Sequence, residues 1–498
     1  MSFGPQLPLG QRIPDSVHAV SVSIPTLEDV VGYEERRPAT MAKLKSGYPR
    51  FIKHEYLLQI EERWKELFDR PDHSIWLTSS ERVARELEAY LSHPKTKYLA
   101  HGGVSGLSYP PDTTLDLLAK RYLQHIGGHL STRHAEDYLV AQKALPSRFL
   151  EESFEGDAAA KVLDHLAPLY KVSSPESIAL AYTGMSAIYA AFRAVNDVQV
   201  PKGRRSWIKL GWLYTDTMHI LDKLSPENSD NLSVYQVLNL EQLETTLKQR
   251  PDDFAGLITE CPTNPLIQTP DLERIRELAT KYGFYLILDP TINSPANVDV
   301  SPYADIITNS LTKYAGNQGD TILGATAVLD RCPEKEAILA KIHQYSEAPY
   351  PRDLQRLAAQ IDGYAALIAK TNASTRKVVE YLKAHPAIKR VYWAHQPCSK
   401  TQYEAIARSP EAVGGVISFE LKGELKTFHD RVRLPKGPSF GMQSSLLSPF
   451  IWLAHYELTT NQEGLAYLAA AGIPKDLIRF SIGAEPAEEI IAALAEAL

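Results

Sequence analysis

The feature that most constrains this fold is an alternation in the middle of the chain. "AGLITE" (255–260) is a short apolar run that stops at a charge. "TPDLERIRELATKYG" (269–283) follows, and its Leu272, Ile275, Leu278, Ala279 and Tyr282 form one helical stripe. Thr269 is expected as N-cap, Pro270 in the first turn and Gly283 as the stop. "FYLILD" (284–289) reads as a buried strand, then "ADIITNS" (304–310) and "GATAVL" (324–329). Strand–helix–strand order with short connections requires an α/β sheet, largely parallel in this part.

The flanking regions differ in texture. The first 50 or so residues, rich in proline, glycine and charge, read as an extended arm. "EYLLQIEERWKELF" is helical, "LAHGGVSGLSYPPDTT" is loop-like, and a long helical run begins near Leu115. After about residue 345 a long helical stretch from Arg352 is followed by short strands at "RVYWA", "GGVISFEL" and "LIRFSIG" and a closing helix, "PAEEIIAALAEAL". That is a separate α+β domain. The expected division is an N-terminal extension and arm over 1–150, a large α/β domain over 151–345 and the C-terminal domain over 346–498. A chain of 498 residues is too long for one core, which agrees.

Charge and cysteine usage exclude several function classes. The net charge of -7, with no dense basic block, argues against a nucleic-acid surface. No apolar run reaches membrane-spanning length, and the first residues lack the pattern of a signal peptide. Cys261, Cys332 and Cys398 fit neither a disulfide framework nor a metal site, so a reducing, cytoplasmic compartment and no metal are expected.

In open α/β sheets ligands sit beyond the carboxyl ends of the strands. Three polar clusters fall there: "ECPTNP", "DPTINSP" and "SLTK". A fourth, "YTGMSAIYAAF" (182–192), is a turn opening a helix, where Gly184 and Met185 would present free backbone N–H groups to a phosphate. Singly these are ordinary turns, caps and a surface lysine. Together they are the parts of a pyridoxal phosphate site: a lysine for a Schiff base, an acid for the pyridine nitrogen and donors for the phosphate. Lys313 is the candidate lysine and Asp289, 24 residues earlier, the candidate acid. Ser310 and Thr312 offer hydroxyls to the phosphate, and Tyr214 in "GWLYTDT" offers a ring to stack on the cofactor.

With these residues in place, the chain resembles the Cys/Met-metabolism branch of fold-type I pyridoxal phosphate enzymes. "TGMSAI", "YTDT", "ECPTNP", "DPTINSP", "SLTKY", "GGVISFEL" and "LIRFSIGAEP" stand in the family's order from about residue 180 onward. A narrower resemblance, carried by "LGQRIPDSVHAVSVSIPTLEDVVGYEE", "SGYPRF", "LSTRHAE" and "KGPSFGM", is to the long fungal-type cystathionine γ-synthases. The resemblance implies a mostly parallel seven-stranded sheet in the large domain, pyridoxal 5'-phosphate as cofactor and a homodimer or homotetramer. The implied reaction is γ-replacement on an O-acylhomoserine by cysteine, the cystathionine-forming step of transsulfuration in methionine biosynthesis. A lyase, another γ-replacement enzyme or a non-catalytic scaffold relative are the alternatives. It assigns Asn264, Ser439 and Arg479 to the substrate α-carboxylate, and proton transfer to Lys313 with help from Tyr214. The resemblance also implies a Tyr-x-Arg that reaches a neighbouring subunit's phosphate, which matches either "YPR" (Tyr48, Arg50) or Arg133 of "LSTR", and Arg133 is preferred.

This sequence departs from the family pattern in three places. Pro290 stands where Asn is usual, Asn317 and Gln318 replace a glycine–histidine pair, and Pro438 replaces an acidic residue before Ser439. The "AGNQGD" stretch after the lysine is therefore expected to mark a difference in specificity.

Overall fold

A computed structural model describes residues 3–4, 6–48 and 52–498. Its centre is a seven-stranded sheet in the order Ile178–Ala181, Gly324–Val328, Ile306–Ser310, Tyr285–Asp289, Phe254–Glu260, Ser206–Leu210, Leu232–Val234. Only Gly324–Val328 runs against the others. Both faces are covered by helices, so the strands are apolar throughout rather than alternating. One face packs on the helices Ala158–Tyr170 and Leu272–Tyr282, the other on Thr113–Ile126 and Gly184–Gln199.

The Leu272–Tyr282 helix starts later than the sequence suggests. Asp271, not Thr269, is its N-cap, its carboxylate accepting the N–H of Arg274 at 3.0 Å. An aspartate directly before the apolar stripe outcompetes a threonine two residues further out. Gly283 ends the helix at φ +72°, as expected.

The C-terminal domain is an antiparallel four-stranded sheet ordered Ile388–Tyr392, Val416–Leu421, Ile478–Ser481, Leu446–Pro449. The helices Tyr364–Ala384 and Ala487–Ala497 pack together against it.

The N-terminal region is more structured than an arm. Leu27–Glu34 is a helix with a capping box at Thr26, and Val22, Ile24, Leu27, Val30 and Tyr33 are buried in the core of the C-terminal domain with Phe419 and Phe480. The stretch read as a loop is a β-hairpin, Lys97–His101 with Val104–Tyr109, joined through Gly102 and Gly103. Both glycines have positive φ (+56° and +83°), the condition a two-residue hairpin turn imposes. With Ser74–Thr78 the hairpin makes a three-stranded antiparallel sheet flanked by helices such as Glu55–Leu67 and Glu81–Leu91. Alternation is weak in this hairpin because Gly, Ser and His interrupt the apolar positions, so its pattern reads as loop.

Candidate active site

The carboxyl ends of the central strands and the loops of the C-terminal domain enclose one cavity. Its wall includes Gly184, Met185, Tyr214, Asn264, Asp289, Ser310, Lys313, Ser439 and Arg479. Nine of the eleven residues anticipated from sequence therefore meet at one place, although they span 296 positions of the chain from 184 to 479.

Lys313 follows the strand Ile306–Ser310 and is almost fully buried. Its Nζ donates to Ser439 Oγ at 2.8 Å and lies 4.6 Å from the Tyr48 ring centroid and 5.1 Å from that of Phe440. Burial, and then the Arg479 guanidinium, lower its pKa from 10.5 to about 7. A neutral amine at neutral pH is a nucleophile and a base, which a solvated lysine is not.

Asp289 ends its strand, and its carboxylate accepts the Thr291 N–H at 2.9 Å. Burial pushes it up to about 6. Its register partner on the adjacent strand is Glu260, also buried and also in the cavity wall. Glu260 accepts the backbone N–H of Tyr214, and burial, then the neighbouring Asp289, hold its pKa well above the carboxylate range. Two carboxylates side by side without a full set of donors leave a place for one cationic or proton-bearing group.

On the opposite side Thr183 caps the helix Gly184–Gln199. Its hydroxyl accepts the Ser186 N–H at 2.9 Å, and the Ser186 hydroxyl accepts the Thr183 N–H at 2.8 Å. The N–H groups of Gly184 and Met185 belong to the first turn, which has no intrahelical acceptor. Ser310 Oγ, facing them, is buried with no hydrogen-bond partner. A Cβ on Gly184 would stand 2.8 Å from Ser310 Cβ and 2.9 Å from its Oγ. An orphaned hydroxyl opposite a helix N-terminus, across a gap only glycine leaves open, fits a phosphate group.

Arg479 projects from the strand Ile478–Ser481. It donates to the Ser439 carbonyl at 3.2 Å and to Asn264 Oδ1 at 3.5 Å, with the Phe440 and Phe450 rings about it at 5.2 and 5.0 Å. Asn264, Ser439 and Arg479, which the resemblance assigned to one substrate group, thus converge in one part of the cavity, where, among the described residues, the guanidinium fork is the only group able to pair both oxygens of a planar carboxylate.

Two anticipated residues are placed elsewhere. Thr312 turns its hydroxyl away: it accepts the Leu323 N–H at 3.2 Å and is fully buried outside the cavity wall. Alternate residues of an extended segment point to opposite sides, so Ser310 and Thr312 share a side only if the chain stays extended, and it turns here. Arg133 is committed to Glu151, Asp353 and the Asp320 carbonyl, each through bonds of 2.6 to 2.9 Å, which leaves no free fork for a phosphate. Of the alternative pair, Tyr48 stands in the cavity wall beside Lys313, while Arg50 lies outside the described residues.

The departure after the lysine has a structural role. Asn317 is buried and donates to the Gln360 carbonyl at 2.7 Å, Gln318 donates its N–H to Gln360 Oε1 at 3.3 Å, and neither lines the cavity. Glu260, Phe440 and Phe450 are among the wall residues that the sequence did not single out, whereas Tyr48 was offered there as one of two alternatives. Glu260 had a signal, a charge closing a fully apolar strand; the two phenylalanines had none.

A mostly parallel seven-stranded sheet with a buried lysine, an acid and a glycine cradle at its carboxyl edge defines a pyridoxal phosphate enzyme of fold type I. The chain matches the family described as "Cys/Met metabolism PLP-dependent enzyme" over residues 158–498, and it belongs to that family. Pyridoxal 5'-phosphate is its cofactor. It is 35% identical over 478 residues to L-2-amino-4-chloropent-4-enoate dechlorinase/desaturase of Streptantibioticus cattleyicolor, covering 96% of this chain and 95% of that protein. It is 28% identical to cystathionine γ-synthase of Neurospora crassa, over 99% of this chain and 98% of the other. The fold is shared with cystathionine γ-synthase of Xanthomonas oryzae pv. oryzae, at 23% identity and a TM-score of 0.58 over 69% of this chain and 86% of that one. Family members act on small amino-acid substrates and are typically oligomeric. Among the described residues no helix is long and apolar enough to cross a membrane.

Proposed function

We propose that this enzyme expels a substituent from the γ-carbon of a single L-amino acid, an elimination, using pyridoxal phosphate. The observation that carries the reading is the charge inventory of the cavity. Among the described residues lining it, the charged side chains are Glu260, Asp289, Lys313 and Arg479. Arg479, with Asn264 and Ser439, takes the α-carboxylate of one substrate. Lys313 carries the cofactor and moves protons. A second amino acid would bring a second carboxylate, for which this set leaves no cation, and a buried unpaired charge is costly.

The cofactor supplies the electron sink when bound. Lys313 would hold it covalently, Asp289 would keep its ring nitrogen protonated, Gly184, Met185 and Ser310 would hold its phosphate, and Tyr214 would offer its ring to the cofactor. Lys313 would take the proton from Cα, deliver it to the electron sink and, neutral once more, take one from Cβ; the electron pair left at Cβ would form the Cβ–Cγ double bond as the γ-substituent leaves with its bonding electrons. Pro438, Phe440, Phe450, Leu453 and Ala454 add apolar surface to the same cavity, with the two phenylalanines beside Arg479. The name of the Streptantibioticus relative places its chlorine on C4, the γ-carbon, which supports the same position of attack.

The second reading is γ-replacement, in which cysteine adds at Cγ of an O-acylhomoserine to give cystathionine. The end-to-end match with the Neurospora cystathionine γ-synthase favours it. For either reaction a homodimer or homotetramer in the cytoplasm is proposed.

Product analysis with and without cysteine separates the two. The purified enzyme is given O-acetylhomoserine, O-succinylhomoserine or a 4-chloro amino acid, and the released acid or chloride is quantified. Elimination predicts release without cysteine; release that depends strictly on cysteine, with cystathionine as product, overturns it in favour of replacement.

A further inference from the structure

Ser439 has a conformation that needs outside support. It is a non-glycine residue at φ +87°, a backbone region that persists only where the surroundings over-determine it. Arg479 holds its carbonyl, and the Ser481 hydroxyl accepts the N–H of Gly441 at 3.0 Å. Those two contacts come from the neighbouring strand of the same domain. A third comes from the far end of the chain: the Ser21 hydroxyl, fully buried, donates to the Pro438 carbonyl at 2.6 Å.

That bond is part of a larger attachment. Arg12–Ile13 and Ser21–Val22 pair as a short antiparallel strap. The N–H of Ile24 donates to the Lys436 carbonyl and that of Val20 to the Gly319 carbonyl, both at 2.9 Å. Gly437 passes so close that a Cβ there would stand 2.4 Å from the Val22 carbonyl oxygen. The strap therefore grips the loop bearing Ser439 and, through Gly319, the "AGNQGD" loop that leaves Lys313. The two loops are also joined directly, since the Tyr314 N–H donates to the Gly441 carbonyl at 2.6 Å.

We propose that Ser21 is a positioning residue of the active site, and that the N-terminal strap holds the Ser439 loop in the conformation that meets Lys313. Ser21 touches neither the cofactor nor the reacting atoms; it acts through the Pro438–Ser439 peptide. This support comes from more than 400 positions away, as the separation of 417 between Ser21 and Pro438 shows. The inference rests on Lys313 as the cofactor-bearing amine and not on which substituent leaves.

The test uses the full chain loaded with cofactor and reads the pH midpoint of its visible absorbance band, which reports the lysine's surroundings rather than turnover. Ser21→Ala leaves the Pro438 carbonyl buried and unpaired, and its midpoint is expected to move by about half a pH unit or more. Ser21→Thr keeps the hydroxyl and is expected to restore the wild-type midpoint. Ser23→Ala serves as control. Its hydroxyl donates to the Leu7 carbonyl at 2.9 Å, within the extension, so its loss weakens the strap without touching the site loop. An unchanged midpoint in Ser21→Ala, or equal shifts in Ser21→Ala and Ser23→Ala, overturns the proposal. A wild-type protein with no visible band would instead refute the role of Lys313 itself.

Discussion

Lys313 Nζ donates to Ser439 Oγ at 2.8 Å, joining the carboxyl edge of the large sheet to a loop of the C-terminal domain. The bond crosses 126 residues of sequence. With Arg479 holding the Ser439 carbonyl, the proposed proton-moving and carboxylate-binding groups both meet one short loop.

Replacing that amine is the most direct check. Lys313→Ala is expected to lower turnover by at least about 1000-fold, because both covalent attachment and proton transfer are lost. Weak, non-covalent cofactor binding should survive. Steady-state assay with absorbance spectra checks it, and near-normal turnover would refute the assignment.

The pH response follows from the same burial. With its folded-state pKa lowered to about 7 against 10.5 for an ordinary lysine, protonating Lys313 costs stability. The cost is absent above the unfolded value, grows as pH falls between the two and is complete below about 7. In cofactor-free protein, acylation of Lys313 by an amine-reactive reagent should reach half its maximal rate near pH 7. Peptide mass spectrometry reads the labelled lysine, and a midpoint near 10.5 would contradict the burial argument.

Arg479 offers a planar fork that an ammonium does not reproduce. Arg479→Lys should raise KM for the amino-acid substrate roughly 30-fold, about 2 kcal/mol of charged hydrogen bonding, with a smaller change in kcat. Initial-rate kinetics distinguish this from a general loss of activity, which would lower kcat alone.

The gap between Gly184 and Ser310 tests the phosphate cradle. A methyl group at Gly184 would enter within 3 Å of the Ser310 side chain. Gly184→Ala is therefore expected to weaken cofactor binding about tenfold or more while leaving the fold intact. Fluorescence titration of the cofactor-free protein measures it, with circular dichroism as the folding control.

Glu260 makes a prediction of opposite character. Its folded-state pKa is raised, so its contribution is favourable at low pH and is lost as pH rises and the carboxyl ionises beside Asp289. Gln stands in for the neutral acid and still accepts the Tyr214 N–H. Glu260→Gln should keep cofactor affinity and lose less thermal stability than wild type as pH rises above the ordinary carboxylate range. A tenfold loss of affinity would show that the ionised form is the one required.

The central sheet was legible because its strands are buried on both faces and its helices carry plain stripes and stops, as at Gly283. The site was legible to the extent that strand ends announce themselves: Asp289, Ser310 and Lys313 each follow an apolar run, and the Thr183 cap precedes its helix. Ser439 and Arg479 came only with the family resemblance, since neither strand nor loop around them carries a chemical signature.

Local sequence thus determined which elements form and which polar groups stand at their ends, because propensity, periodicity and capping act over a few residues. The tertiary structure decided which of those groups face one another. It turned the Thr312 hydroxyl to Leu323, tied Arg133 to two carboxylates and a backbone carbonyl, brought Tyr48 beside Lys313 and laid Ser21 against Pro438. Such choices depend on contacts across hundreds of positions, where burial and hydrogen-bond satisfaction of the whole molecule outweigh any short stretch of chain.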